Sequence, residues 1–359
     1  MKDYEITEEE RKRIAKDDAT YQKFYEGGKC GFKKDDIVVI PPKYDWALPF
    51  HEGMAQVKLD GKWGFIDKSG TEVIPIKYDT IYAIPIKYVT ISAFNEEGLA
   101  KVELDGKWGY IDKSGTEVIP INYDEIGGFH EGLAEVQLKG KCGFIDRSGI
   151  IVAPLKYDAA GYFREGLASI KLDGKCGFID KSGTEVIPPK YDFAGCFHEG
   201  LADVKLDDKR GFIDKSGTEV IPLKYDYAWY FLEGMAKVKQ KGKCGYIDKS
   251  GAAVIPLMYD NAWNFDEGLA RVELDGKYGF IDKSGTAVIP INYDEIGGFY
   301  EGLARVKQKG KWGYIDKIGT EVIPIKYDWV GNFRNGLAHV ELDGKWICID
   351  KSGTEFTSR

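Results

Sequence analysis

One sequence unit recurs along nearly the whole chain and constrains its fold more than any other feature. In a full form, at residues 269–302, the unit reads LARVELDGKYGFIDKSGTAVIPINYDEIGGFYEG, and successive copies lie 34 residues apart, as from Trp312 to Trp346. A unit this small cannot bury its own apolar face and must pack against its neighbours. The sequence therefore predicts an array of about nine such units.

Each copy carries the pattern of a three-stranded antiparallel meander. Residues 133–138 alternate apolar and polar side chains, which is the period of a half-buried strand. A Lys-Gly or Asp-Gly turn leads to a second strand at 142–146, and a Ser-Gly turn leads to a third that ends at Pro, as at Pro120. A loop of roughly a dozen residues completes the predicted unit.

The stacking of the units can be predicted in part. In a parallel β-helix the invariant Lys of Gly-Lys, from Lys62 to Lys345, would form a repulsive column, and equivalent prolines would interrupt one ladder. Antiparallel units packed face to face avoid both problems. We expect an all-β repeat protein with an open, curved superhelix; the alternative is a closed, β-propeller-like ring, although 34 residues is short for a four-stranded blade.

Residues 1–26 lie outside the repeat and are predicted to form a short helical cap. Thr7 and Glu10 have the spacing of a capping box, and apolar residues such as Ile14, Tyr21 and Phe24 recur along one side. Repeat arrays need covered ends. Two domains follow: the cap at 1–26 and the repeat array at 27–359.

The charge and hydropathy of the chain limit the classes of function. The net charge is −8, and Lys alternates with Asp and Glu through every copy, so neither a nucleic-acid footprint nor a polybasic membrane patch is present. No run approaches the 18 or so apolar residues of a membrane span, and the charged start has no signal-peptide core behind it. We expect a cytoplasmic protein; export without a classical signal peptide is the alternative.

The six cysteines do not have the spacing of a disulfide framework. Four of them occupy the position held by Trp in the GKWG segment of other copies: Cys30, Cys142, Cys176 and Cys244. Cys348 takes a neighbouring Phe position, and Cys196 lies in a loop. Residues that replace aromatics in this way are expected to be reduced, structural thiols.

The recurrent pattern GKWG(F/Y)IDKSG, VIP, YD and F-x-EGLA resembles the bacterial WG repeat family, also called KWG repeats. It covers about nine-tenths of the chain, with Trp63, Trp108, Trp312 and Trp346 at the landmark position. The resemblance implies a β-rich repeat array that often serves as an interaction or extracellular-recognition region. It brings no set of catalytic residues.

The copies differ most between the Tyr-Asp pair and the Phe-x-Glu-Gly segment. The second position of this loop stays small or aliphatic, while the others include aromatic residues in excess of any turn requirement. A variable aromatic loop on a constant scaffold is typical of a binding face, and the alternative is packing between adjacent units. The predicted partner-binding residues are Trp46, Tyr162, Phe193, Tyr227, Trp229, Tyr230, Trp263 and Trp329.

One copy is longer because a ten-residue piece is duplicated at 74–93. Insertions into repeats go to loops, often on the working face. Neutral slippage is the alternative, because surface loops tolerate insertions.

The sequence carries no recognisable catalytic or metal-binding constellation. His51, His130 and His198 share one position but sit in separate copies, and the repeated Asp residues suit turns without calcium. We therefore expect a protein with no enzymatic activity, no cofactor and no metal. The leading hypothesis is a scaffold that binds another protein, as a subunit of a larger assembly; the alternative is carbohydrate or cell-wall recognition.

Overall fold

The computed structural model describes residues 8–82, 84–86, 90–92 and 98–356. The chain divides into two compact bodies, considered separately below. The N-terminal body comprises Met1–Phe163, Ile170–Asp173 and Asp180–Thr184, and the C-terminal body comprises Arg164–Ser169, Gly174–Ile179 and Glu185–Arg359. Thr7 and part of the duplicated piece at 74–93 lie outside the described residues.

The first part of the chain contains helix α1 and strands β1 to β18. Their bounds are α1 Glu8–Asp18, β1 Tyr21–Glu26, β2 Lys29–Lys34, β3 Ile37–Tyr44, β4 Trp46–Ala47, β5 Met54–Leu59, β6 Lys62–Asp67, β7 Glu72–Tyr78, β8 Thr80–Ile81, β9 Ile84–Ile86, β10 Thr90–Ser92, β11 Ala100–Leu104, β12 Lys107–Ile111, β13 Glu117–Tyr123, β14 Glu125–Ile126, β15 Leu133–Leu138, β16 Lys141–Asp146, β17 Ile151–Tyr157 and β18 Ala159–Ala160.

The rest of the chain contains strands β19 to β41. Their bounds are β19 Leu167–Leu172, β20 Lys175–Asp180, β21 Glu185–Tyr191, β22 Phe193–Ala194, β23 Ala202–Leu206, β24 Lys209–Ile213, β25 Glu219–Tyr225, β26 Tyr227–Ala228, β27 Met235–Gln240, β28 Lys243–Asp248, β29 Ala253–Tyr259, β30 Asn261–Ala262, β31 Leu269–Leu274, β32 Lys277–Asp282, β33 Ala287–Tyr293, β34 Glu295–Tyr300, β35 Leu303–Gln308, β36 Lys311–Ile315, β37 Glu321–Tyr327, β38 Trp329–Val330, β39 Leu337–Leu342, β40 Lys345–Asp350 and β41 Glu355–Phe356.

The repeated element is a small antiparallel sheet of four strands, such as β4-β5-β6-β7 in the N-terminal body and β26-β27-β28-β29 in the C-terminal body. The prediction of an all-β repeat protein built from antiparallel meanders is confirmed. The prediction of three strands in each unit is wrong, because part of the variable loop forms a fourth. Asp45 N donates to Lys58 O at 2.8 Å and Leu48 N to Gln56 O at 2.9 Å, which adds the short strand β4 to the next copy.

The N-terminal segment is helical over a shorter range than the sequence pattern predicts. Helix α1 ends at Asp18, and Tyr21–Glu26 forms strand β1, which pairs with β2. The Asp17 carboxylate accepts hydrogen bonds from Lys34 Nζ at 2.9 Å and Lys68 Nζ at 2.5 Å, so the end of the helix is attached to the first two sheets. These contacts hold the pKa of Asp17 well below its usual range, at about 2.

The hydrophobic core lies between successive sheets. In the C-terminal body, Phe212 and Ile221 of one copy belong to the same buried cluster as Phe231 and Val238 of the next. The rings of Phe212 and Phe231 have their centres 4.8 Å apart and meet edge to face at an angle of 61°. Because each core is shared by two copies, a copy depends on its neighbour for burial of its apolar face.

Carboxylates at two positions of the repeat also join successive sheets. Asp79, of the Tyr-Asp pair, contacts Lys62 Nζ in its own sheet and accepts a hydrogen bond from Asp105 N in the next, at 2.8 Å. Glu165, of Glu-Gly-Leu, accepts hydrogen bonds from Gly200 N at 2.9 Å and contacts Lys215 Nζ at 3.3 Å in the following copies. The equivalent Lys of each copy from Lys62 to Lys311 therefore forms an ion pair with the Asp of the Tyr-Asp pair that follows it.

Candidate functional site

The first residue of the short strand lies in the same cross-strand row as the landmark position, which is the Trp position of the GKWG segment. Trp46 lies opposite Lys58, and Lys58 lies opposite Trp63. Cross-strand neighbours on one face of a sheet contact each other. The Trp46 and Trp63 rings meet edge to face at 5.4 Å, and Lys58 Nζ lies 5.1 Å from the Trp63 ring. We call this row of three side chains the edge row of a copy.

The edge row has different chemistry in different copies of the C-terminal body. Phe193 lies beneath the Arg210 guanidinium, whose carbon is 4.4 Å from the ring centre. Trp329 and Trp346 have ring centres 5.2 Å apart, with Glu341 between them in the sheet register. The edge row therefore presents rings, cations or carboxylates on one backbone framework.

In two copies of the C-terminal body, the third position of the variable loop is a packed indole. Trp229 lies against Lys237 Nζ and Trp263 against the Arg271 guanidinium, each at 3.7 Å from the ring centre. Both cations also donate to a carbonyl of the next copy, Lys237 to Ala262 O and Arg271 to Ile296 O, at 3.0 Å. Burial lowers the pKa of both side chains. These two indoles therefore contribute to packing between copies.

In two copies, the fourth loop position carries a tyrosine that covers a histidine of the preceding copy. Tyr230 stacks on His198 with ring centres 4.3 Å apart, and Tyr162 lies 4.9 Å from His130. Both tyrosines keep an exposed face. The shared histidine position thus serves as a support for an aromatic ring.

The eight residues predicted to bind a partner divide into two groups. Six are between 37% and 55% exposed, whereas Trp229 and Trp263 are half-buried. The exposed residues are Trp46, Tyr162, Phe193, Tyr227, Tyr230 and Trp329. The rings of Tyr227 and Trp229 stack with their centres 5.8 Å apart.

The sequence reasoning missed the polar position in the first long strand of each copy. This position holds Lys101, Glu135, Asp203, Lys237 and Arg271 in different copies. A comparison of the copies could have revealed this position. Where the third loop position is Trp229 or Trp263, the residue eight positions later is a cation, whereas eight positions after Gly195 it is Asp203.

Asp203 shows why glycine occurs at that third position. Its carboxylate is 7% exposed and accepts a hydrogen bond from Arg210 Nη1 at 2.7 Å. A Cβ atom on Gly195 would lie 2.1 Å from Asp203 Oδ1, so the ion pair occupies the space that an indole takes elsewhere. Burial raises the pKa of Asp203 in spite of the neighbouring Arg210.

The described residues contain no group of three or more His, Cys, Asp or Glu side chains that could hold a metal ion. Within the same described ranges, no cysteine forms a disulfide bond. Burial raises the pKa of Cys30 and Cys244, and raises that of Cys142 to about 11 together with the contact to Glu135. Deprotonation to the nucleophilic thiolate is therefore disfavoured at these three positions.

The repeated turns use their aspartates to bind the backbone. Asp67 Oδ1 accepts hydrogen bonds from Ser69 N at 2.8 Å and Thr71 N at 3.0 Å. The same arrangement recurs at Asp112, Asp146, Asp180, Asp214, Asp248, Asp282 and Asp350.

In the part of the chain that the structure describes, no helix is long and apolar enough to span a membrane.

Together, these features define a class: a β-repeat protein with a constant core and one chemically variable edge in each copy. The sequence matches the family described as WG containing repeat in ten consecutive segments: 38–63, 63–84, 82–108, 108–142, 143–176, 177–209, 211–244, 245–278, 278–312 and 312–346. The chain belongs to this family.

Comparison with other proteins adds little to the family assignment. No curated protein sequence gives a significant match. Among solved structures, a eukaryotic initiation factor is 12% identical with a TM-score of 0.41, covering 83% of this chain and 93% of its own. Hsv2p of Kluyveromyces lactis is 9% identical with a TM-score of 0.34, covering 62% and 90% respectively. Similarities at this level do not bear on function.

Proposed function

We propose that the chain is a non-enzymatic repeat scaffold that binds another protein, as a subunit of a larger assembly. Binding uses the six exposed aromatics of the variable loops, here called the exposed edge aromatics: Trp46, Tyr162, Phe193, Tyr227, Tyr230 and Trp329. One observation carries the proposal: six of the eight variable aromatics expose a face while the core beneath them scarcely changes between copies. Aromatic rings supply large contact areas at low entropic cost and are enriched in protein interfaces. Membership of the family is consistent with this role and supplies no catalytic residues.

The proposal is tested by affinity purification of the native protein in mild salt, followed by mass spectrometry. The test variant changes Phe193, Tyr227 and Trp329 to Ala. The matched control changes Val220, Val254 and Val322 to Ala, because these residues are also exposed, at 37–38%, and lie at the opposite edge of their sheets. We expect a stoichiometric protein partner that is lost with the test variant and retained with the control.

Carbohydrate recognition is the second candidate, and the Trp329–Trp346 pair favours it. Two indoles with centres 5.2 Å apart beside Glu341 could offer a sugar both an apolar surface and a hydrogen-bond acceptor. Binding on a glycan array that is lost in Trp329→Ala, with no protein partner recovered, would support this candidate over the scaffold. Equal loss of the protein partner in the test and control variants would count against the edge aromatics as its binding face.

A further inference from the structure

A polar cleft lies between two successive sheets of the N-terminal body, apart from the exposed edge aromatics. It has a volume of about 270 Å³ and opens between the sheet of β8, β11, β12 and β13 and the sheet of β14 to β17. Its lining includes Lys101 and Trp108 from the first sheet and Glu125, Gly127 and Glu135 from the second. This volume is slightly below the ~300–1,000 Å³ of drug-sized ligand sites.

Gly127 keeps this cleft open. It occupies the third loop position, where other copies carry Tyr82, Trp229 or Trp263. A Cβ atom on Gly127 would meet only Glu135, at 3.6 Å or more, which is an ordinary contact distance, and the backbone there is not left-handed. Neither a steric clash nor the backbone conformation therefore requires glycine at this position.

The cleft places a donor and two carboxylates next to an aromatic wall. Lys101 Nζ donates to Ile126 O at 2.6 Å and lies 4.4 Å from the centre of the Trp108 ring. Burial lowers the pKa of Lys101 and raises that of Glu135, so both charged forms are poorly solvated. Glu125 lies on the short strand at the same edge. A ligand with groups that both donate and accept hydrogen bonds would improve the solvation of Lys101 and Glu135, and the exposed Glu125 adds a further acceptor.

We propose that this cleft binds a single neutral sugar ring. Each sugar hydroxyl can donate to Glu125 or Glu135 and accept from Lys101. An anionic ligand would meet two carboxylates, and a cationic ligand would meet the lysine. The apolar face of a sugar ring suits the exposed part of the Trp108 wall, and the volume fits one ring. The site uses Trp108, which holds the landmark position, but none of the six exposed aromatics, and it does not depend on the proposed protein partner.

The experiment is saturation-transfer NMR of the full chain with glucose, galactose, mannose and N-acetylglucosamine, and with L-alanine as a zwitterionic probe. We expect a signal from at least one sugar and none from L-alanine. The Gly127→Trp variant copies the residue of sister copies and should fill the cleft, which would weaken sugar binding at least tenfold. Gly128→Ala is the matched control, because its Cβ would meet no atom within 4 Å, and it should bind as the parent does.

A second variant protects the test against misfolding of the first. Lys101→Met keeps an unbranched side chain and removes the donor, so it should weaken sugar binding severalfold while circular dichroism stays unchanged. The absence of any sugar signal, or binding of L-alanine alone, would overturn the proposal. So would sugar binding that survives both variants, and a signal lost only in Trp329→Ala would assign the sugar to the exposed edge instead.

Discussion

Replacement of Phe231 by Ala tests whether successive copies are held together mainly by their shared core. Phe231 is fully buried, and its ring lies 4.8 Å from that of Phe212 in the preceding copy. A buried aromatic side chain removes ~150–250 Å² from water, which corresponds to about 4–6 kcal/mol at ~25 cal/mol per Å². Because this area is an upper bound and Ala keeps part of it, we expect a loss of about 3–5 kcal/mol.

The loss should be local, because each copy contacts mainly its neighbours. Hydrogen exchange measured by mass spectrometry can resolve this. Amides of β24 to β28 should exchange on the order of 10²–10³ times faster, since each ~1.4 kcal/mol is a tenfold change in the opening equilibrium. Amides of the distant strand β39 should change little.

Leu232→Ala is the matched control, because Leu232 is the next residue and is 38% exposed. It should change exchange by less than tenfold, in keeping with ~0.5 kcal/mol for surface substitutions. An effect of Phe231→Ala as small as that of the control would refute the shared-core explanation. Acceleration spread evenly from β24 to β39 would refute nearest-neighbour coupling.

Three further predictions follow from individual contacts. The hydrogen bond from the Ser216 side chain lowers the pKa of Asp214 in the folded state. The ionised Asp214 therefore stabilises the fold above the unfolded-state pKa of about 4, and this stabilisation is lost as pH falls through the folded-state pKa. The melting temperature should fall from pH 5 to pH 2, and should fall less in Asp214→Asn. A native chain should resist iodoacetamide at Cys142 at pH 8, since the pKa of this thiol is raised to about 11; mass spectrometry showing modification before unfolding would contradict this. Gly211→Ala places a Cβ 2.4 Å from Ile221 O and should cost about 1–3 kcal/mol in urea unfolding, whereas Gly128→Ala should be neutral.

The repeat made most of the fold predictable. Alternating side chains at 133–138 and the Lys-Gly turn at Lys139 predict a hairpin, and the structure has β15 and β16 at these positions. The fourth strand could not be predicted in this way. A two-residue strand such as β4 has no period to detect, and it exists because backbone groups pair with the next copy.

The candidate site was predictable in part, for a related reason. Trp329 is exposed and Trp229 is half-buried, yet both are tryptophans of the variable loop, and composition alone does not distinguish them. Their separation depends on a partner in another strand, Lys237 for Trp229. Side chains that meet across strands are distant in sequence, so only the fold, or a comparison between copies, reveals the pair.

The sheet itself explains why variation between copies concentrates where it does. At one edge, the third long strand carries Pro and a buried Ile. The Gly of the adjacent strand packs closely against its backbone, since a Cβ atom added to Gly64 would lie 2.6 Å from Ile74 O. The buried Ile and the closely packed Gly can therefore change little without loss of the sheet. At the other edge, the short strand needs only backbone pairing and one buried small residue such as Ala228. The side chains beside it can therefore differ, and each copy can acquire its own surface chemistry without disturbing the next.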